Sequence, residues 1–263
     1  MILIGERING TFKDIGRAVA NRNPEPVKDW ALRQVENGAD YLDLNVGPNS
    51  EEPAADMRWL VESVRAVTDC AVCLDSTNFD AIRAGLEIAG QGSMINSCSA
   101  DRERVQVAFP MAVEYGASLV CLTMNEEGVP RDHEARLMLA MELLMAAEEF
   151  GLPPDRVFID PLVLPVSVAQ EHVVEALRTI QSVKLLSSPQ PKSVIGLSNV
   201  SQRTFDRSLI NRTMLVMAMA MGLDAAILDV CDESLIEAWA TARILLNQEI
   251  YADSYLKLAK TRK

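Results

Sequence analysis

The sequence predicts an α/β fold closed into a (β/α)8 TIM barrel, with its functional site at the C-terminal ends of the strands. Three observations carry this. Short apolar runs alternate with longer helical stretches along the whole chain, the pattern of a parallel sheet with right-handed crossovers. The runs are apolar throughout rather than alternating, as strands buried on both faces must be. The chain has 263 residues, an ordinary size for one such barrel.

The strand runs, in order, cover residues 2–5, 41–44, 71–74, 93–95, 118–122, 157–159, 193–197 and 225–228. Helical stretches with matching punctuation separate them. Gly38 stops the stretch before the second run, and Gly85 lies near the end of the helix after the third. The helix over 102–115 ends at Gly116. Asp132 can cap the next helix, which sets Leu137, Met141 and Leu144 on one face and ends at Gly151, with Pro153 and Pro154 behind it. The Met-rich stretch 214–221 reads as core filling before Gly222. No Gly/Ser linker or charge block divides the chain, so one domain over 1–263 is expected. An open doubly wound sheet is the competing fold, and the glycine fingerprint it would need after the first strand is missing. The tail over 247–263 reads as a packing or dimer element.

Composition narrows the function classes. Hydrophobic residues make up 49% and charged residues 24%, a globular balance. The net charge of −12 disfavours nucleic acid and anionic membranes. No apolar run approaches the roughly 18 residues of a membrane span. The N-terminus lacks a signal-type pattern, so a cytoplasmic location is expected. The 5 cysteines lie mostly in apolar runs and read as reduced thiols.

Polar residues at strand C-termini point at a barrel's catalytic mouth. Here the runs end in Glu6; Asp43 and Asn45; Asp75, Ser76 and Thr77; Asn96 and Ser97; Thr123 and Asn125; Asp160; Ser198 and Asn199; Asp229 and Asp232. Helix capping explains some of these, but several sit directly on the last strand residue, ahead of any cap. The rim holds carboxylates, carboxamides and hydroxyls, with no His or Lys. Such a set suits a neutral, planar, hydrogen-bonding ligand. The 2 histidines, His133 and His172, read as surface residues outside metal-ligand spacing, so no zinc and no metal centre is expected. A carboxylate-bound Mg²⁺ or Ca²⁺ stays open. There is no Walker loop and no Ser-His-Asp set, so acid–base chemistry falls to carboxyl groups or polarised hydrogen bonds.

Nine segments then carry a family resemblance. They are IGERING at 4–10, LDLNVGP at 42–48, CLDSTN at 73–78, MINS at 94–97, LTMN at 122–125, IDPL at 159–162, GLSNVSQ at 196–202, NRT at 211–213 and GLDAA at 222–226. In these, over its whole length, the chain resembles the methyltetrahydrofolate:corrinoid/iron-sulfur protein methyltransferases and the related folate-linked methyltransferases of corrinoid-dependent demethylation. The resemblance implies a pterin-binding TIM barrel that works as a homodimer in one-carbon metabolism. It implies transfer of the N5 methyl group between 5-methyltetrahydrofolate and the cobalt of a separate corrinoid protein. That partner would be the corrinoid/iron-sulfur protein of the acetyl-CoA pathway or a demethylase corrinoid protein. The chain carries no identifiable cobalamin-binding signature, so the corrinoid must arrive on the partner, against loops 126–131 and 203–207.

At matching positions the resemblance implies that Asp75, Asn96 and Asp160 grip the pterin edge and that Asn199 reaches N5. Asn199, Asp75 and Asp160 are the implied catalytic set. Gly196, Ser198, Gln202 and Arg207 would line the same pocket, Arg207 toward the glutamate tail, with Glu6 and Asp43 completing its floor. A tertiary amine leaves only when N5 gains positive character, so the protein's tasks are activation of the electrophile and in-line alignment. Two alternatives remain open. A dihydropteroate synthase-like enzyme would carry basic residues after the seventh strand, where this chain reads Ser198-Asn199-Val200. A non-catalytic folate-binding protein would need no such dense polar rim.

Overall fold

The computed structural model describes residues 1–253 and Tyr255. Eight parallel strands close in sequence order, β1 through β8. They are β1 (Ile2–Asn9), β2 (Tyr41–Asn45), β3 (Ala71–Asp75), β4 (Met94–Ser99), β5 (Ser118–Leu122), β6 (Val157–Asp160), β7 (Lys192–Gly196) and β8 (Ala225–Leu228). Closure comes from β1 pairing with β8, Ile2 opposite Ala225 and Gly5 opposite Leu228. Around them run α1 (Lys13–Asn21), α2 (Glu25–Glu36), α3 (Pro53–Arg65), α4 (Phe79–Ala89), α5 (Arg102–Tyr115), α6 (His133–Phe150), α7 (Glu171–Val183), α8 (Arg207–Ala220) and α9 (Glu233–Leu245).

The apolar runs work because successive side chains leave a strand on opposite faces. Ile4, Cys73, Met94, Val120, Phe158, Val194 and Ala225 turn inward and fill the barrel as one cluster. Their sequence neighbours turn outward. Leu42, Leu74, Ile95 and Leu119 meet the helices on one side, and Leu3, Ile195, Ala226 and Leu228 meet those on the other. The barrel is therefore a packed core below and a polar mouth above. Caps set where helices begin: Asn78 accepts from the amides of Asp80 and Ala81, and Asp132 from that of Ala135. Gly116 and Gly151 end α5 and α6 at φ 61° and 76°, where a side chain would be strained.

Several expectations change. β1 continues to Asn9 rather than stopping at residue 5, because Ile8 is fully buried after a register shift between Gly5 and Ile8. Two helices separate β1 from β2. α8 starts at Arg207, well before the Met-rich stretch, because Asp206 caps its polar first turn. His172 is buried, not a surface residue: its Nδ1 lies 2.7 Å from a guanidinium nitrogen of the fully buried Arg136. His133 is half-buried. Most of the tail over 247–263 lies outside the described residues. Among the described residues no helix is long and apolar enough to cross a membrane.

Candidate functional site

A cavity of about 760 Å³ opens at the C-terminal mouth of the barrel. Glu6, Asp43, Asp75, Asn96, Asp160, Gly196, Ser198, Asn199, Gln202 and Arg207, the residues singled out above, all line it. Asp229 and Asp232 do so too. Asn45 stands behind the wall, donating its Nδ2 to Asp75 Oδ2 at 2.7 Å. Thr123 and Asn125 do not reach the cavity. The Thr123 hydroxyl and amide both donate back to the Asp160 carbonyl, and Asn125 closes a tight turn with Gly128. The β5 end therefore braces β6 instead of facing the ligand space.

The mouth acids are held by groups that donate N–H or O–H bonds without neutralising charge. Asn96 Nδ2 donates to Asp43 Oδ1 at 3.2 Å. The Leu162 amide donates to Asp160 Oδ1 at 2.7 Å, with Leu162 itself in the left-handed region at φ 62°. Ser198 Oγ donates to Glu6 Oε1 at 2.7 Å. Burial penalises the charged form of each acid. It pushes Glu6 up to about 7, with Ser198 holding it back and Asp229 adding to the rise. It pushes Asp160 up to about 7 against the Leu162 amide and the nearby Arg136. Asp43 and Asp75 lie side by side, and burial raises both, Asp43 further because of Asp75.

Beside Asp160 and Glu6 a short 3₁₀ turn over Leu197–Asn199 follows β7 directly. It turns the Asn199 carboxamide back over the strand end, where Gly196 leaves room: a Cβ on Gly196 would stand 2.9 Å from Asn199 Nδ2. Gln202 Nε2 donates to Asn199 Oδ1 at 2.9 Å and orients the amide. Asn199 Nδ2 has no protein partner among the described residues. Arg207 reaches back to the Ser198 carbonyl at 3.1 Å and to Ser201 Oγ at 3.0 Å, bracing this turn.

Sequence reasoning missed the residues that follow Glu6 on and after β1. Arg7, Asn9, Thr11 and Phe12 also line the cavity. The Arg7 guanidinium lies 3.8 Å from the Phe12 ring centre and 4.1 Å from that of Trp30, and pairs with Asp14 at 3.3 Å. Arg7 stood inside the segment at 4–10, but its meaning depended on β1 continuing past Glu6. Ser208 and Asn211, from the first turns of α8, were missed for the same kind of reason. Among the described residues one group could hold a metal ion, His133, Glu134 and Glu175. None of the three lines the mouth, and the Glu175 oxygens already meet Arg178 at 3.0 Å and the His133 amide at 3.0 Å.

Comparison with known proteins agrees with this architecture. The chain is 25% identical over 259 residues to the methylcorrinoid:tetrahydrofolate methyltransferase of Eubacterium limosum, covering 98% of this chain and 95% of that protein. It is 29% identical over 239 residues to the methionine synthase of Mycobacterium leprae, covering 86% of this chain but only 20% of that larger protein. Among solved structures it matches dihydropteroate synthase of Xanthomonas albilineans in complex with 7,8-dihydropteroate, with a TM-score of 0.67 at 18% identity over 95% of this chain and 94% of that one. The Yersinia pestis enzyme with a pterine–sulfa conjugate matches with a TM-score of 0.70 at 14% identity, over 94% of each chain. These two likenesses concern the fold alone. A family model described as pterin binding enzyme matches residues 5–229. From the barrel's first strand to its last, this chain belongs to the pterin binding enzyme family.

Proposed function

We propose that the protein moves the N5 methyl group between 5-methyltetrahydrofolate and the cobalt of a corrinoid carried by another protein. The observation that carries this reading is the division of labour across the mouth. Asp75, Asn96 and Asp160, at the ends of β3, β4 and β6, offer acceptors and a carboxamide to a pterin edge, and Asn199, on the turn after β7, offers its carboxamide to the reacting nitrogen. The E. limosum relative, matched over nearly the whole chain, bears a name describing this chemistry. A dihydropteroate synthase-like reading has less support, because the cavity lining contains Arg7 and Arg207 but no lysine among the described residues.

In this reading the pterin lies edge-on against Asp75, Asn96 and Asp160, with Glu6 and Asp43 below it. Asn199 stands beside N5, steered by Gln202 and given space by Gly196. Asn199 Oδ1, which keeps a second lone pair beside the Gln202 bond, accepts from N5 once it bears a proton, an interaction the unprotonated amine cannot offer. That difference lowers the barrier by roughly 2–4 kcal/mol. The glutamate tail leaves past Arg207 and Ser208. The open mouth receives the partner, and the adjoining loop presents Phe205 fully to solvent, an anchor of the kind interfaces bury. The same arrangement serves both directions of transfer, since a catalyst lowers one shared barrier.

The test is direct. Mixed with methyltetrahydrofolate and free cob(I)alamin, the protein should produce the visible spectrum of methylcob(III)alamin. Turnover of a pterin pyrophosphate with an aminobenzoate, and no methylcobalamin, would replace this reading with the synthase one.

A further inference from the structure

Methyl transfer from folate consumes one proton. The N5–CH₃ bond breaks as the Co–CH₃ bond forms, and N5 ends as a secondary amine carrying a new N–H. The site therefore needs a proton source, and no histidine lines the cavity. We propose that Glu6 is that source and that it delivers the proton to N5 through the Ser198 hydroxyl. This rests on the methyl-transfer reading and extends it to a residue that reading used only as floor.

The argument is one of hydrogen-bond chemistry. Only a group that both donates and accepts can pass a proton on, and an amide N–H cannot do so readily. Asp75 accepts from the Asn45 carboxamide, and Asp160 from the Leu162 amide. Asp43 accepts from the Asn96 carboxamide and also meets the Cys73 thiol, which is buried in the barrel interior. Asp232 meets the Ser208 and Ser234 hydroxyls, but its Oδ1 also takes the amides of Ser234 and Leu235 and caps α9. Glu6 alone among these acids is bound through a hydroxyl that neighbours Asn199 in sequence, at 2.7 Å. Both Ser198 and Asn199 sit on the single turn after β7 and face one cavity.

The surroundings suit a reversible donor. Glu6 feels Arg7 on its own strand, Arg207 of α8, Asp229 after β8, and Asp43 of β2 across the barrel. Burial outweighs the two arginines and brings the carboxyl to about 7, matched to a neutral medium. In transfer from folate, the Glu6 O–H bond breaks toward Ser198 Oγ, the Ser198 O–H proton passes to N5, and Glu6 is left as carboxylate. In transfer to folate, N5 attacks the cobalt-bound methyl and the electron pair of the Co–C bond stays on cobalt. The N5 proton then returns along the same two groups.

The experiment is the pH profile of single-turnover transfer from methyltetrahydrofolate to free cob(I)alamin. The wild-type rate should fall as pH rises through about 7, because the donor empties. Glu6→Gln keeps the shape and loses the proton. It should slow transfer by about a hundredfold or more, flatten the profile, and leave methyltetrahydrofolate affinity within about threefold by fluorescence titration. Ser198→Ala should reproduce the loss and the flattening, and Glu6→Asp should restore part of the pH dependence. A Glu6→Gln protein with the wild-type rate and profile overturns the inference. So does one whose affinity falls as much as its rate, since Glu6 would then only bind. If the wild type makes no methylcobalamin at any pH, the methyl-transfer reading itself fails.

Discussion

The two ends of this barrel treat their acids differently. At the N-terminal end, Asp224 accepts the Ser193 amide at 2.6 Å and its hydroxyl at 3.1 Å, and pairs with Lys184. Asp40 accepts the Leu3 amide at 2.8 Å. These carboxylates stay partly or largely in water and tie strand starts together. At the mouth, Asp43 and Asp160 are buried at 3% and 7% exposure, and Glu6 and Asp75 stand close by. None of the four forms an ion pair among the described residues. A buried acid without a cation costs stability, and folds tolerate that cost where a ligand later answers it. The bottom acids belong to the fold, and the mouth acids belong to whatever binds there.

The largest effect that could break this division lies at Asn199. Asn199→Ala should lower methyl transfer about 100- to 1000-fold while changing folate affinity little, as comparison of single-turnover rate with fluorescence titration would show. Equal losses in both would make Asn199 a binding residue. Asp160→Ala comes next. Removing one charge-assisted hydrogen bond should weaken methyltetrahydrofolate binding roughly 10- to 100-fold, and unchanged affinity would take Asp160 out of the site. The smallest functional effect belongs to the other end. Asp224→Ala should cost about 1–3 kcal/mol of stability in a denaturant titration, with transfer by the folded protein unaltered.

The strand ends were legible in the sequence because parallel barrels separate two tasks by position. Apolar runs set the strands, and the first polar residue after each run marks the mouth. Glu6, Asp75, Asn96, Asp160 and Ser198 follow that rule and meet in one cavity. Thr123 follows the same rule and does not, because its hydroxyl found the Asp160 carbonyl first. That choice depends on a neighbouring strand and leaves no local trace. Arg7, Phe12 and Trp30 form their stack only after β1 overruns its apolar segment and α1 and α2 fold back beside it. His172 looked like a surface residue because nothing near it in sequence announces the buried Arg136, 36 positions away. Periodicity reports which face a residue occupies, and contacts between elements decide what it does there.

One measurement addresses the central contrast directly: thermal unfolding of the wild type and of the double variant Asp75→Asn/Asp160→Asn, with and without 5-methyltetrahydrofolate. Burial raises both acids in the folded state. Each contribution to stability is therefore full below the ordinary carboxylate range and is lost as pH rises through the acid's raised pKa, about 7 for Asp160. Near pH 8 the wild type carries the cost and the double variant does not. The variant should then unfold at a higher temperature than the wild type when no folate is present, and only the wild type should gain stability when folate is added. A variant that is less stable than the wild type near pH 8, yet stabilised equally by folate, would contradict the account.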